Sequence, residues 1–419
     1  MTTPFIYLSW IIEIIKNIIH IKVSMKKVKT GLDILAEDSE LQKKIKGNVA
    51  LLCHNASIDS SFKHAAIKFK EIFGSRFVKL FGPQHGFTTD AQDNMIETNH
   101  YIHPYFNIPV YSLYSETRIP TDEMLEGIDH LFVDLQDVGC RMYTYIYTLT
   151  LLLEKCINKD IEVIVLDRPN PINGIDIEGN ILDPEFESFI GRHPIPVRHG
   201  MTIGEVALMH QKNWTKDKIN LRIVKMTNWE RAMYFDDTKL PWLLPSPNLA
   251  RVESAFTFPA TVIFEGTTLS EGRGTTQSLE IVGHPKMEPF SFYENHLASA
   301  IKNSKLEGFK IRPITFLPTF QKQADKVCGG LQIHITDRSI YKPWRVGQLL
   351  MRELYHHLGN DFEWKKPPYE YNYTQKPIDI INGTDKLRLW VESNDNIDIL
   401  HSFENLNDYK LQLDEIKIY

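Results

Sequence analysis

The amino-acid sequence predicts an α/β protein: a parallel sheet covered by helices on both faces, followed by a smaller α+β unit. Three observations carry this. From Gly31 to about Leu166, short apolar runs alternate with helix-patterned stretches. Nearly every run stops at a polar or Gly/Pro cluster. Beyond the proline-set crossover Pro241–Asn248 (PWLLPSPN) the order changes to strands and helices without regular alternation. We expect residues 1–24 to form an extension or weak hydrophobic segment, 25–245 the sheet domain and 246–419 the smaller unit.

Val49–Cys53 (VALLC) is the first expected strand, and Ser60–Phe73 the first long helical stretch. Phe77–Phe81, Ile108–Leu113, Leu131–Leu135 and Val163–Leu166 are the next strands. Pro120–Glu126 and Met142–Lys159 read as helices between them. Continuous apolar strands of this kind belong to parallel sheets buried on both faces. Asn173–Arg198 reads as a long ordered loop. Thr202–Trp214 reads as a helix, with Thr202 and Glu205 spaced as a capping box. In the second unit, Thr257–Glu265, Phe309–Phe316 and Gly330–Thr336 are expected strands, and Phe292–Asn303 and Trp344–Leu358 expected helices. The polar, aromatic stretch from Asp361 onward is expected to fold back over the first domain.

A net charge of -6 over 419 residues argues against a nucleic-acid binder, which would normally show a basic face, while leaving room for local basic pockets. The four cysteines form no C-x-x-C pair or zinc-ligand spacing, and Cys53, Cys140 and Cys156 read as small buried hydrophobes. Phe5–Ile21 is apolar but broken by Glu13, Lys16, Asn17 and His20, so no stable membrane span is expected. It reads as an upstream extension or a poor anchor. A functional start at Met25 would mean a cytoplasmic protein; otherwise the chain would be exported or periplasmic.

In open α/β sheets, ligands bind outside the carboxyl ends of the strands. Those ends here carry HNAS (with Asn55), GPQHG (Gln84, His85), SLYSET, DLQDVGCR (Gln136, Asp137, Arg141) and DRPNP (Asp167, Arg168, Asn170). Tyr145, the pair Arg198-His199, Asn248, and the loop FEGTTLSEGRGTT (Glu265, Glu271, Arg273) add further polar groups. Each has a plainer reading: a structural turn, an Asp137–Arg141 ion pair, a solvated acidic run at Asp90–Glu97. No Walker A sequence, G-x-S-x-G elbow, H-E-x-x-H or post-strand glycine fingerprint occurs. No cofactor and no metal are therefore expected. Acids, amides and aromatics without a metal motif suit a carbohydrate site.

Taken together, these stretches resemble a bacterial glycoside hydrolase family, formerly a domain of unknown function, whose characterised members are exo-acting β-N-acetylmuramidases. The resemblance rests on GLDIL, FGPQHG, PVYSLYSETRIPT, DLQDVGCRMYTYIYTL, LDRPNP, EFESFIGRHPIPVRHGMTIGE, LPSPN, FPATVIFEGTTLSEGRGTT and GGLQIHITDR, in that order. It implies a Rossmann-like domain joined to a smaller barrel-like one, with the site between them. It also implies removal of non-reducing terminal N-acetylmuramic acid from peptidoglycan fragments. The resemblance also implies a departure: some members carry Glu where Gln84 stands here, and an amide cannot donate a proton as a carboxylic acid does.

The expected partners are therefore peptidoglycan-derived muramyl saccharides. Arg141, Arg168, Arg198 and Arg273 are candidates for the lactyl carboxylate, and Asn170 or Asn248 for the acetamido group. Catalytic candidates are Glu97, then Glu271, with His85 and Asp137 beside them. Asp137 is expected to be held by Arg141. The loops at His54, His85, Asp137, Asp167 and Glu271 should then meet in one cleft. Competing readings are an esterase or amidase acting on cell-wall fragments, and a non-catalytic sugar-binding protein.

Overall fold

The computed structural model describes residues 26–419 apart from Asn94. The segment Phe5–Ile21 lies outside the described residues. Among those described, no helix is long and apolar enough to cross a membrane.

The first half is built on seven strands: β1 Val49–Cys53, β2 Phe77–Gly82, β3 Tyr101–Ile102, β4 Pro109–Ser112, β5 His130–Asp134, β6 Glu162–Leu166 and β7 Leu221–Val224. Their order is β3-β4-β2-β1-β5-β6-β7. Every neighbouring pair is parallel except β3–β4. All five expected strands are present. Two were not expected. β3 is a two-residue exposed edge, and β7 (LRIV) is an only partly buried edge whose arginine interrupts its apolar run.

Helices cover both faces. On one, Phe69 of α2 (Ala65–Phe73) meets Phe132 of β5 with ring centroids 4.9 Å apart. On the other lies α3 (Tyr145–Lys155), whose residues Tyr145–Leu153 are all buried. α1 (Gly31–Glu37) and α4 (Ile203–Met209) both begin with full capping boxes, Thr30/Asp33 and Thr202/Glu205. The second of these was legible in the sequence.

The smaller half holds a three-stranded antiparallel sheet in the order β8-β10-β9, from β8 (Ile281–His284), β9 (Phe309–Phe316) and β10 (Cys328–Ile335). The expected strand Thr257–Glu265 is instead the end of helix α5 (Val252–Thr261) and a 3₁₀ turn, Val262–Gly266. Residues Ser254–Thr261 of α5 are all buried. A helix apolar on every side shows no 3.6-residue period, and its aromatic and β-branched content mimics a strand. α6 (Pro343–Leu358) packs on α5 at Gly347, where any Cβ would stand 2.4 Å from the carbonyl oxygen of Ala260. Only glycine permits that approach.

One apolar core runs from the α3 face of the large sheet through both halves, from Ala50 to Ile416. The tail returns to the first half, as expected. Tyr409 donates to the His199 carbonyl, Ile418 N–H to Glu205 Oε1 at 3.0 Å and Tyr419 to Asp167 Oδ2 at 2.8 Å. All four cysteines are free and buried, and burial pushes the Cys140 thiol up to about 12.

Arg168 ties the middle of the sheet's carboxyl edge together. Its Nε and Nη2 bind Asp134 at 2.5 and 2.8 Å, and Nη2 also reaches the Ile58 carbonyl at 2.9 Å. Both side chains are buried. Arg168→Leu is expected to lower unfolding free energy by about 3–5 kcal/mol, because it strands a buried carboxylate. Adding Asp134→Leu should recover much of that loss. Denaturant titration of the three proteins checks both statements.

Candidate active site

A narrow cleft opens where the strand-end loops of the first half meet the second half and the tail. Its walls carry Gln84, His85, Tyr143, Glu265, Arg273 and Glu370. The FGPQHG loop leaves β2 and turns at His85, whose φ of 70° is in the left-handed region. Such strain in a non-glycine residue persists only where surroundings enforce it. Here His85 Nδ1 lies 2.8 Å from the Ala91 carbonyl, and burial lowers its pKa to about 4. It is a neutral imidazole at physiological pH. Thr144 donates to Gln84 Oε1 at 2.5 Å.

The opposite wall is a chain of alternating buried charges. Arg273 binds Glu265 Oε1 through Nη2 and Glu271 Oε1 through Nε, the latter at 2.8 Å. Lys322 meets Glu271 Oε2 at 2.6 Å. Burial alone would raise the pKa of Glu271, but Lys322 and Arg273 outweigh it and hold the pKa below the usual value. Glu271 therefore stays ionised and does not suit the proton-donor role considered for it.

The tail adds a further carboxyl group to the cleft, that of Glu370. Tyr369 donates to Glu265 Oε2 at 2.7 Å, and Tyr114 donates to Glu370 Oε2 at 3.3 Å. Burial, and then the negative charge of Glu265, raise Glu370 to about 7. Glu370 and Tyr371 have φ of 44° and 64°, so the tail also crosses the cleft in left-handed backbone. A neutral carboxylic acid beside an ion-paired carboxylate is the arrangement that splits acid from base in many hydrolases.

Glu97 lies on the rim rather than inside. Its side chain is 47% exposed, 3.3 Å from Arg118 Nη1, and accepts from Tyr371 at 3.0 Å. That is not the enclosed setting expected for a donor. Asn248 donates to the Gln92 carbonyl at 2.8 Å, and Asp93 accepts from Gln321, which ties the His85 loop to the second half.

Other expected site residues are spent on the framework. Arg141 does not pair with Asp137: its guanidinium donates to the carbonyls of Asn180, Ile195, Ile381 and Asn382. Asp137 instead accepts from Gly139 N–H at 2.7 Å and stands 3.3 Å from His199 Nε2. Arg198 pairs with Asp176 and the Ile172 carbonyl. Asp167 accepts from Gly204 N–H and Thr202 Oγ1 at 2.7 and 2.9 Å. Asn170 bridges Met201 and Ile172, and Gln136 donates to the carbonyls of Asp137 and Pro169. Tyr145 packs edge-on to His54 and donates to Pro245, while Asn55 N–H binds Thr89. His85 and the Glu271 loop thus share the cleft, whereas Asp137 and Asp167 anchor segments beneath the sheet's carboxyl edge.

Sequence reasoning missed Glu370, Tyr369, Tyr114, Arg118 and Lys322. Arg118 and Tyr114 lie in the SLYSETR stretch and could have been found there. Glu370 sits in PPYEYNY, a stretch with no strand-end context.

Comparison with known proteins follows the same division. The N-terminal family model of exo-β-N-acetylmuramidase NamZ matches residues 49–253, and the C-terminal model matches 256–419. The chain belongs to the exo-β-N-acetylmuramidase NamZ family. The peptidoglycan β-N-acetylmuramidase NamZ of Bacillus subtilis (strain 168) is 40% identical over 380 residues, 90% of this chain and 88% of that protein. Two crystal structures of DUF1343 family proteins from Bacteroides fragilis NCTC 9343 share the fold. One has a TM-score of 0.82 at 28% identity and the other 0.70 at 26%. Each alignment covers 94% of this chain and 99% of that one. The NamZ fold thus joins its two matched parts across the cleft described above.

The raised pKa of Glu370 has a thermodynamic signature. Its folded value of about 7 exceeds the ordinary 4.5. The stability it contributes is complete at low pH and is lost as pH rises from the ordinary value through about 7. Glu370→Gln cannot ionise and escapes that loss. Between pH 5 and pH 8 the variant should gain about 2 kcal/mol relative to the parent chain. Denaturation at the two pH values measures it.

Proposed function

We propose that this protein is a glycoside hydrolase that removes terminal N-acetylmuramic acid from the non-reducing ends of peptidoglycan fragments. The substrate class rests on the relationship to the Bacillus subtilis enzyme. One observation supports the chemistry: Glu370, buried and with its pKa raised to about 7, shares a cleft with the ion-paired carboxylate of Glu265.

In this reading Glu370 donates a proton to the departing glycosidic oxygen, and Tyr114 orients its carboxyl group. Glu265, fixed by Arg273 and Tyr369, faces the positive charge that develops on the sugar. Arg118, stacked over Tyr114 and Tyr371 at 4.5 and 4.1 Å, is the rim cation for the lactyl carboxylate. Gln84 and His85 hydrogen-bond the sugar without exchanging a proton with it. In this reading the acid lies in the tail and not at Gln84, whose amide cannot donate a proton as a carboxylic acid does.

Loss of the acid should cost about 10²–10⁴-fold in kcat for a natural disaccharide. It should cost far less for a substrate with an activated aryl leaving group, which departs without protonation. The kcat/KM of the parent chain should fall as pH rises through about 7, and Glu370→Gln should lack that limb. Release of free N-acetylmuramic acid from a defined disaccharide, followed against pH, tests this. Parent-like turnover and pH profile in Glu370→Gln would remove Glu370 from the role. So would a gain of more than about 10-fold in Gln84→Glu, since one well-placed acid contributes at least that much.

A further inference from the structure

We propose that Glu154, His193 and His210 form a site for one zinc-class divalent ion that anchors the loop lining the cleft. Glu154 ends α3, His193 belongs to the long loop between β6 and α4, and His210 follows α4. Their donor atoms lie within 4.8 Å of one another. Three elements distant in sequence thus bring two imidazoles and a carboxylate to one point.

His210 points most directly to a ligand. It is fully buried, and neither ring nitrogen has a hydrogen-bond partner. Buried polar atoms in folded proteins are almost always satisfied. The residue opens a π-helical turn, His210–Trp214, and such turns are frequent at functional sites. His193 is held flat against Trp214, with centroids 3.9 Å apart and planes 9° apart, so its ring is preset. Two imidazoles and one carboxylate suit Zn²⁺, with a fourth position for water. Arg192 spans Glu154 at 3.2 and 3.3 Å. One carboxylate oxygen can turn to the ion while the other keeps Arg192, as metal-bound carboxylates commonly keep an outer partner.

The site lies outside the catalytic cleft but is coupled to it. Ile190, three residues before His193, lines the cleft. Phe189 packs on Tyr114 at 5.6 Å, and Tyr114 donates to Glu370. An ion at His193 would fix the loop that carries both residues. The inference is independent of the glycosidic reading, because its readout is binding and not turnover.

The full chain, free of any tag and stripped by a chelator, should bind one equivalent of Zn²⁺ by calorimetry. Co²⁺ should give the intense visible absorption of a four-coordinate site. His193→Gln and His210→Gln should each weaken binding at least about 100-fold, since even outer partners of a ligand are worth 10–100-fold. Glu154→Gln, at a partly exposed position, preserves the fold and should weaken binding by about 10-fold or more on the same ground. Zinc should raise Tm in the parent chain and not in His210→Gln. Failure of the parent chain to take up one equivalent of either ion would overturn the proposal. Parent-like affinity in Glu154→Gln and His210→Gln would do the same.

Discussion

The cleft depends on Arg273. Its guanidinium lies between Glu265 and Glu271, and Lys322 closes the far end. Take Arg273 away and Glu265 and Glu271 lose the one cation they share, with Lys322 left to face Glu271. In place, it fixes Glu265 at one coordinate, and the charge of Glu265 then acts on Glu370. Two glycines flanking Arg273 have φ near 80°. Gly274 also passes so close to Phe320 that a Cβ would stand 2.7 Å from its backbone nitrogen. The loop is therefore shaped to deliver this single side chain. A buried ion pair is weak evidence for stability but defines geometry well, and geometry is what this wall contributes.

The same logic explains why so many conspicuous residues face away from the substrate. Charged residues at strand ends attract functional readings because ligands bind there. Yet strand ends are also where backbone groups lose their ladder partners and need side chains to satisfy them. Arg141 answers four carbonyls from three segments. Asp167 answers the amino end of α4, and Arg168 answers Asp134. These residues hold the loops at the distance where a cleft can exist.

The large sheet was legible because its evidence is local. Each strand is an apolar run with a stop signal, and Thr202/Glu205 is a capping box within four residues. The parts that were not legible depend on distant sequence. The carboxyl group of Glu370 has a raised pKa only because the fold buries it and sets it near Glu265, and it meets Tyr114 from 256 positions away. Helix α5 was misread because total burial erases amphipathic period. The strand-end rule pointed to Gln84 and His85, and glycines beside charges pointed to the Glu265–Arg273 loop, but neither signal marks a polar tail that brings a carboxyl group from outside the sheet.

Tyr419 gives this architecture an order in time. Its hydroxyl docks on Asp167, 252 residues earlier, which also secures the start of α4. At about 5–20 residues per second, Asp167 waits roughly 10–50 s for that partner during synthesis. The nascent sheet spends that interval with the aspartate at the end of β6 one donor short. That one bond therefore ties the first half to a segment translated well after it.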